Sequence, residues 1–236
     1  MAVMASSRGN APGALTLPDV ALLVLAAGQS ARMGSPKALV EFEGRPLLEH
    51  LLAAPLVRGF GDVVVVLGHH ADALRPIVDR LGYRSVLNPD PDRGRTGSVQ
   101  TGLQALPAAI RAVFVQPVDC PIILPETYLA LAAAIADADA AIPSYRGRRG
   151  HPPLFSAAVI PRILAAGPDE PLRDLLRPVG RLSKSSQGIG CRSVEVDDPG
   201  VLVNVDRPED LAQLAALHAA RRGVGAQPDE SGRQGQ

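Results

Sequence analysis

Aromatic side chains are scarce in this chain of 236 residues, which has three tyrosines, four phenylalanines and no tryptophan. Hydrophobic residues still make up 46% of the sequence, so the core has to be aliphatic. Valine, leucine, isoleucine and alanine fill the apolar runs, which is typical of a parallel sheet covered by helices on both faces. The length suits one α/β domain that buries a core without disulfides or structural metals.

An excess of charge of one sign is also absent, because 24 lysines and arginines balance 24 aspartates and glutamates. Proteins that bind nucleic acids or membrane surfaces usually carry a basic excess, so we expect neither partner. Two cysteines, Cys120 and Cys191, are too few for a disulfide framework and favour a cytoplasmic location. No apolar run approaches the roughly 20 residues that a membrane-spanning helix needs.

The composition at the two ends of the chain differs from that of the middle. Residues 1–18 lack the charged start and long apolar stretch of a signal peptide and are predicted to form a disordered lead. Residues 223–236 are polar and rich in glycine, which predicts a disordered tail. Residues 19–222 are therefore expected to form one domain.

The middle of the chain alternates between short apolar runs and segments with helical spacing. Strands are predicted at 20–27, 62–68, 84–88 and 112–119, and helices at 46–59, 71–82, 98–107 and 125–137. This order predicts a Rossmann-like three-layer sandwich with a mostly parallel sheet. Residues 140–190 are expected to form a small antiparallel elaboration. Strands follow at 191–198, running antiparallel, and at 201–206, and a helix at 207–222 ends the domain.

The first strand runs into the loop "LAAGQSARMGSPKAL", residues 25–39. Gly28 and Gly34 allow close approach of the backbone to a ligand, and Arg32 and Lys37 supply two cations that suit a triphosphate. The loop matches neither the Walker A pattern nor the GxGxxG dinucleotide pattern. The residues alone leave two interpretations open: a phosphate-binding loop, or a strand-to-helix turn with two solvated cations.

Two further polar positions follow predicted strands, where open α/β sheets bind their ligands. Asp119 follows the fourth strand. Two roles are open for it: it is a metal ligand, or it is a turn or helix-capping residue. Asn204 and Asp206 lie on the last predicted strand, where alternation would turn both to one face. Asn204 is the predicted second metal ligand, and Asp206 is either the alternative ligand or a cap of the final helix.

The loop at 25–39 resembles the signature of MobA/MocA-like nucleotidyltransferases, which transfer a nucleoside monophosphate to the molybdenum cofactor. Further motifs resemble this family in order: "NPDPDRGRTGSVQTGL" (88–103), "QPVDCP" (116–121), "RGHPPLFS" (149–156) and "VLVNVDRPEDL" (201–211). The resemblance extends from about residue 20 to about residue 215. It implies the fold of nucleotide-diphospho-sugar transferases and a Mg²⁺ cofactor.

The resemblance also implies a role for each matched residue. Arg32, Lys37 and Asp119 would be catalytic, and Mg²⁺ would bind Asp119 and Asn204. The nucleotide would contact Leu25, Ala26, Ala27, Gly28, Arg32, Lys37, Asn88, Gly97 and Ser98. A basic loop would bind the acceptor through Arg146, Arg148, Arg149 and His151, although each arginine alone also fits a solvated loop.

The form "LAAG" resembles the cytidylyltransferase branch, so CTP is the expected donor and molybdopterin the expected acceptor. Three alternatives stay open. One is a sugar- or alditol-phosphate nucleotidyltransferase, and another is a nucleotide-diphospho-sugar glycosyltransferase, although "PVDCP" lacks the DxD metal motif common there. The third is a non-catalytic nucleotide-binding protein that serves molybdoenzyme assembly, with a molybdoenzyme or chaperone as partner. Retention of Arg32, Lys37 and Asp119 favours an active enzyme.

Overall fold

The computed structural model describes residues 15–29, 35–175 and 190–224. The strands are β1 (Val20–Ala26), β2 (Glu41–Phe42), β3 (Arg45–Pro46), β4 (Asp62–Leu67), β5 (Arg84–Leu87), β6 (Ala112–Pro117), β7 (Ala140–Tyr145), β8 (Arg148–Arg149), β9 (Leu154–Ser156) and β10 (Cys191–Glu195). The helices are α1 (Leu47–Ala53), α2 (Ala71–Arg80), α3 (Arg95–Gln104), α4 (Pro125–Ala134), α5 (Ile160–Ala165), α6 (Leu172–Leu175) and α7 (Asp210–Val224).

The main sheet has the strand order β10-β7-β9-β6-β1-β4-β5, with β8 paired to β7. The pairs β1·β4, β1·β6, β4·β5 and β10·β7 are parallel, whereas β9 runs antiparallel to both β6 and β7. Strands β2 and β3 form a separate two-stranded antiparallel sheet. The predicted mostly parallel, Rossmann-like sheet with a small antiparallel part is confirmed.

Side chains alternate between the two faces along a strand, and every residue of β1 is buried. Both faces of the sheet are therefore covered, and helices cover them. Leu22 packs into a cluster with α1, α2 and α4, whereas Leu23 packs on the opposite face with α3 and α5. In the described residues, no helix is long and apolar enough to cross a membrane.

The chain differs from the sequence expectation at its start and in its first helix. Within the predicted lead 1–18, Leu15 and Leu17 pack against the core, and residues 1–14 lie outside the described part. Of the predicted tail, residues 225–236 lie outside the described part as well. The helix predicted at 46–59 ends at Ala53, because Pro55 cannot continue the backbone hydrogen bonds and begins a 3₁₀ turn instead.

Two expectations for the last strands were wrong. Strand β10 runs parallel to β7, with Cys191 paired to Ala140 and Glu195 paired to Ser144. Residues 201–206 form no strand: Pro199–Leu202 is a 3₁₀ turn, and residues 203–206 are irregular. The segment docks through single hydrogen bonds instead of a ladder, as when the Val205 N–H donates to the Asp119 carbonyl at 2.8 Å.

A buried carboxylate holds this irregular segment in place. Asp198 is only 1% exposed and accepts hydrogen bonds from the Leu124 and Gly200 N–H groups at 2.8 and 2.9 Å. It also accepts one from the Thr127 hydroxyl at 2.9 Å and forms an ion pair with Arg221 of α7. One carboxylate therefore joins the start of α4, the 3₁₀ turn and the last helix.

We expect Asp198→Ala to lower the free energy of unfolding by about 3–5 kcal/mol, because it leaves Arg221 without its buried partner. Denaturant unfolding followed by circular dichroism measures this loss. Asp197→Ala removes an exposed neighbouring carboxylate and is the matched control. A loss of less than about 1 kcal/mol in Asp198→Ala would mean that the segment is held by other contacts.

Candidate functional site

The loops after β1 and β6 leave the sheet side by side, because Leu25 is paired with Pro117 in the parallel register. They open a cavity of about 360 Å³ at the carboxyl ends of these strands. The cavity is lined by Leu25, Ala26, Ala27, Gly28, Pro36, Lys37, Ala38, His70, Leu74, Pro91, Gly94, Arg95, Ser98, Pro117, Val118, Asp119 and Asp206. Seven of the predicted site residues therefore share one cavity.

Lys37 joins two carboxylates at the edge of this cavity. Its Nζ lies 3.4 Å from Asp119 Oδ2 and also forms an ion pair with Asp206. Burial by itself lowers the pKa of Lys37, but Asp206 and Asp119 outweigh burial and raise this pKa above its ordinary value. Lys37 is therefore a fixed positive charge at neutral pH.

The predicted nucleotide-binding residues Asn88, Gly97 and Ser98 are held in place by hydrogen bonds. Ser98 lines the cavity, and its hydroxyl accepts a hydrogen bond from the buried Asn88 amide at 3.0 Å. The Gly97 N–H donates to the Pro168 carbonyl at 3.2 Å, which ties the start of α3 to a neighbouring loop. The predicted catalytic residue Arg32 and its neighbour Gly34 lie outside the described residues.

Asn204 and Asp206 do not share a face, because the segment that carries them is not a strand. Asn204 Oδ1 accepts a hydrogen bond from the buried Cys120 thiol at 2.7 Å and lines a second cavity. The Asp206 carboxylate faces Lys37, while the Asp206 N–H donates to Asp210 Oδ2 at 2.8 Å. Asp210 Oδ2 also accepts from the Arg207 N–H at 2.8 Å, so this carboxylate fixes the backbone just before α7.

The second cavity, of about 450 Å³, adjoins the first and has mainly apolar walls with a basic rim. It is lined by Arg95, Val115, Pro117, Ile142, Arg148, Arg149, Gly150, His151, Pro153, Leu172, Val201, Leu202 and Asn204. Three of the four predicted acceptor residues lie here. The fourth, Arg146, occupies the turn between β7 and β8, with its guanidinium 5.1 Å from the centre of the Tyr145 ring.

His151 sits in this second cavity with a buried Nδ1 that has no hydrogen-bond partner among the described residues. Burial lowers the pKa of His151, Arg95 lowers it further, and Asp119 partly offsets both. Its imidazole is therefore neutral at pH 7.

Sequence reasoning missed Arg95 and His70 and placed Asp206 second to Asn204. Arg95 lines both cavities and His70 lines the first. The signal for Arg95 was its place in the loop after the third strand, directly ahead of a helix. The predicted start of that helix was residue 98, so Arg95 was assigned to the loop, whereas α3 begins at Arg95 itself.

Residues 22–187 match the family model of the MobA-like NTP transferase domain. The match covers well over half of the chain. The chain belongs to this family. The resemblance predicted from the motifs is thereby confirmed.

Curated relatives of this MobA-like chain carry different names. The bifunctional protein GlmU of Sorangium cellulosum is 36% identical over 121 residues, which cover 48% of this chain and 25% of GlmU. The chain thus matches only about a quarter of that relative's length. The nicotine blue oxidoreductase of Paenarthrobacter nicotinovorans is 32% identical over 159 residues, covering 64% of this chain and 78% of the relative.

Solved structures share the fold of the MobA-like chain. Rv0371c from Mycobacterium tuberculosis superposes with a TM-score of 0.71 at 26% identity, covering 83% of this chain and 96% of that one. A second structure of Rv0371c, a complex with manganese, gives a TM-score of 0.66 at 23% identity, with coverage of 83% and 97%.

The donor atoms at the first cavity of the MobA-like chain fit a magnesium ion. In the part of the chain that the structure describes, no group of three or more histidine, cysteine, aspartate or glutamate side chains forms a complete metal site. Magnesium needs no such group, because one or two carboxylates, waters and substrate phosphates complete its shell. Asp119 and Asp206 supply two carboxylates on one cavity.

Gly28 offers a test that separates ligand binding from folding. A methyl group added there meets no atom within 4 Å, so Gly28→Ala should change the free energy of unfolding by less than about 0.5 kcal/mol. If the nucleotide binds here as the motifs predict, the methyl would occupy space beside the triphosphate, and the affinity for CTP should fall about tenfold or more.

Calorimetric titration measures the affinity for CTP, and thermal unfolding measures the stability. Gly59→Ala is the matched control, because its added methyl makes only an ordinary 3.5 Å contact with Leu17, away from the cavity. Unchanged CTP affinity in a folded Gly28→Ala protein would contradict the assignment of this cavity to the nucleotide.

Proposed function

We propose that this protein transfers a nucleoside monophosphate from an NTP to a phosphate-bearing acceptor and releases pyrophosphate. The observation that carries the proposal is the cluster of Lys37, Asp119 and Asp206 at the edge of a cavity that adjoins a second, basic-rimmed cavity. Family membership supports the reaction class. Two adjoining cavities would give the two substrates separate binding sites, which supports a two-substrate reaction.

In the proposed reaction an oxygen of the acceptor phosphate attacks the α-phosphorus of the NTP in line, and pyrophosphate leaves with the bonding electrons. Lys37 supports the negative charge that builds up on the leaving group, and the resemblance gives Arg32 the same task. Such reactions depend on positioning and on fixed charges rather than on a side-chain nucleophile. The cavity walls and Ser98, which Asn88 holds, orient the nucleotide.

The proposed cofactor is Mg²⁺, bound by Asp119. When bound, the ion neutralises phosphate charge and aligns the two substrates. The sequence-based second ligand is Asn204, which lines the second cavity. We favour Asp206 instead, because its carboxylate shares the first cavity with Asp119 and contacts the same lysine.

The proposed acceptor site is the second cavity, with Arg148 and Arg149 on the phosphate and apolar walls around the rest of the molecule. This combination favours an acceptor that has a phosphate monoester on a largely apolar or flat body, and molybdopterin is the leading candidate. CTP is the favoured donor from the "LAAG" resemblance. A sugar- or alditol-phosphate acceptor, or a non-catalytic role in molybdoenzyme assembly, is the alternative. The proposed setting is the cytoplasm, which the two free cysteines support.

The experiment measures pyrophosphate release by the full chain with Mg²⁺, each of the four NTPs, and molybdopterin or a sugar phosphate. We expect release with CTP and molybdopterin. Lys37→Ala and Asp119→Ala should each lower kcat/KM by at least about 30-fold, equivalent to about 2 kcal/mol of transition-state stabilisation. Asp197→Ala, which changes an exposed carboxylate outside both cavities, should retain the wild-type rate.

Each outcome has a separate meaning. Tight CTP binding without turnover for any acceptor would favour the non-catalytic alternative. Near-normal turnover in Asp119→Ala would overturn the proposed metal site. Turnover with sugar phosphates but not with molybdopterin would mean that the acceptor is a sugar phosphate.

A further inference from the structure

Arg95 lies where the two cavities meet. It lines the first cavity together with Lys37 and Asp119, and it lines the second together with Arg149 and His151. Pro117, the last residue of β6, also lines both cavities, but it carries no charge. Arg95 is thus the cation that the two cavities share among their described lining residues.

The charge of Arg95 also acts on a buried group of the second cavity. Burial lowers the pKa of His151 in the second cavity, and the charge of Arg95 lowers it further. The Arg95 side chain is exposed, and its guanidinium has no hydrogen-bond or ion-pair partner among the described residues. Its neighbour Arg93, in contrast, lies 3.8 Å from Asp90 and 3.6 Å from Asp169.

The backbone below Arg95 is anchored although its side chain is not. Arg95 is the first residue of α3, directly after Gly94, which has a φ of 105° that other residues rarely adopt. The next two residues are tied down, because the Thr96 hydroxyl donates to the Glu170 carbonyl at 2.5 Å and the Gly97 N–H donates to the Pro168 carbonyl. An anchored backbone therefore places an unpaired guanidinium at the boundary between the cavities.

We propose that Arg95 binds both substrates, with its guanidinium holding an anionic oxygen of the nucleotide phosphates and one of the acceptor phosphate. The planar fork of a guanidinium presents several N–H donors in fixed directions, which suits two phosphates side by side. Two phosphates that must react repel each other, and a shared cation offsets this repulsion. Arg95 is then a positioning residue for the step in which the phosphates meet. This inference rests on the proposed function for the identity of the two ligands.

The test compares binding of one probe for each cavity. CTP with Mg²⁺ is the probe for the first cavity, and phenyl phosphate, an aryl phosphate monoester, is the probe for the second. Arg95→Ala should weaken the binding of both probes about tenfold. Lys37→Ala should weaken CTP more than phenyl phosphate, and Arg149→Ala should weaken phenyl phosphate more than CTP.

Arg93→Ala is the matched control, because it removes an adjacent arginine that is paired to surface carboxylates, and it should leave both dissociation constants within about twofold of wild type. Arg95→Lys keeps the charge without the fork and should lie between wild type and Arg95→Ala. It also serves as the second variant if Arg95→Ala unfolds, which thermal unfolding detects.

The proposal is overturned if Arg95→Ala, or Arg95→Lys in its place, changes the affinity for only one probe or for neither. It is also overturned if the wild-type protein binds only one probe. Because the readout is binding, failure of the nucleotidyltransferase reaction appears separately: both dissociation constants would shift in Arg95→Ala while the wild-type protein released no pyrophosphate.

Discussion

Parallel pairing of β1 with β6 is the constraint on which the site depends. This register sets Leu25 beside Pro117, so the segments after β1 and β6 leave the sheet at the same edge. Gly28 follows β1, and Asp119 follows β6. Both strands are buried along their whole length, so a slip of one residue would turn every side chain to the opposite face, which is already packed. The hydrophobic core thereby determines where the loop glycine and the carboxylate meet.

A second constraint brings the remaining site residues to that edge. Residues 199–206 have no ladder to hold them, and the buried Asp198 carboxylate ties their start to α4 and to Arg221 of α7. Gly150 packs so closely on this segment that an added Cβ would lie 2.1 Å from the Val201 carbonyl oxygen. The 3₁₀ turn thus fits against the basic loop, with Asn204 on one cavity and Asp206 on the other.

The sequence allowed prediction of those features that follow from local pattern. The apolar runs predicted β1, β4, β5 and β6, and the motif order identified the family. Residues 201–206 were misassigned because the alternation in "VLVNVD" mimics a strand. Asp198 instead caps a turn there through the Gly200 N–H, and contacts distant in sequence, to Thr127 and Arg221, bury that carboxylate. Arg95 was missed because its importance arises from two cavities that meet in space. The roles of Arg32, Lys37, Asp119 and Asn204 remain predictions.

The central chemical claim is that the bond that breaks lies between the α- and β-phosphates of the nucleotide. The most direct measurement supplies CTP labelled at the α-phosphorus or at the γ-phosphorus, together with Mg²⁺ and molybdopterin, and follows the label. We expect the α label to join the acceptor and the γ label to leave in pyrophosphate. Transfer of the γ label to the acceptor, or its release as free phosphate, would contradict the claim.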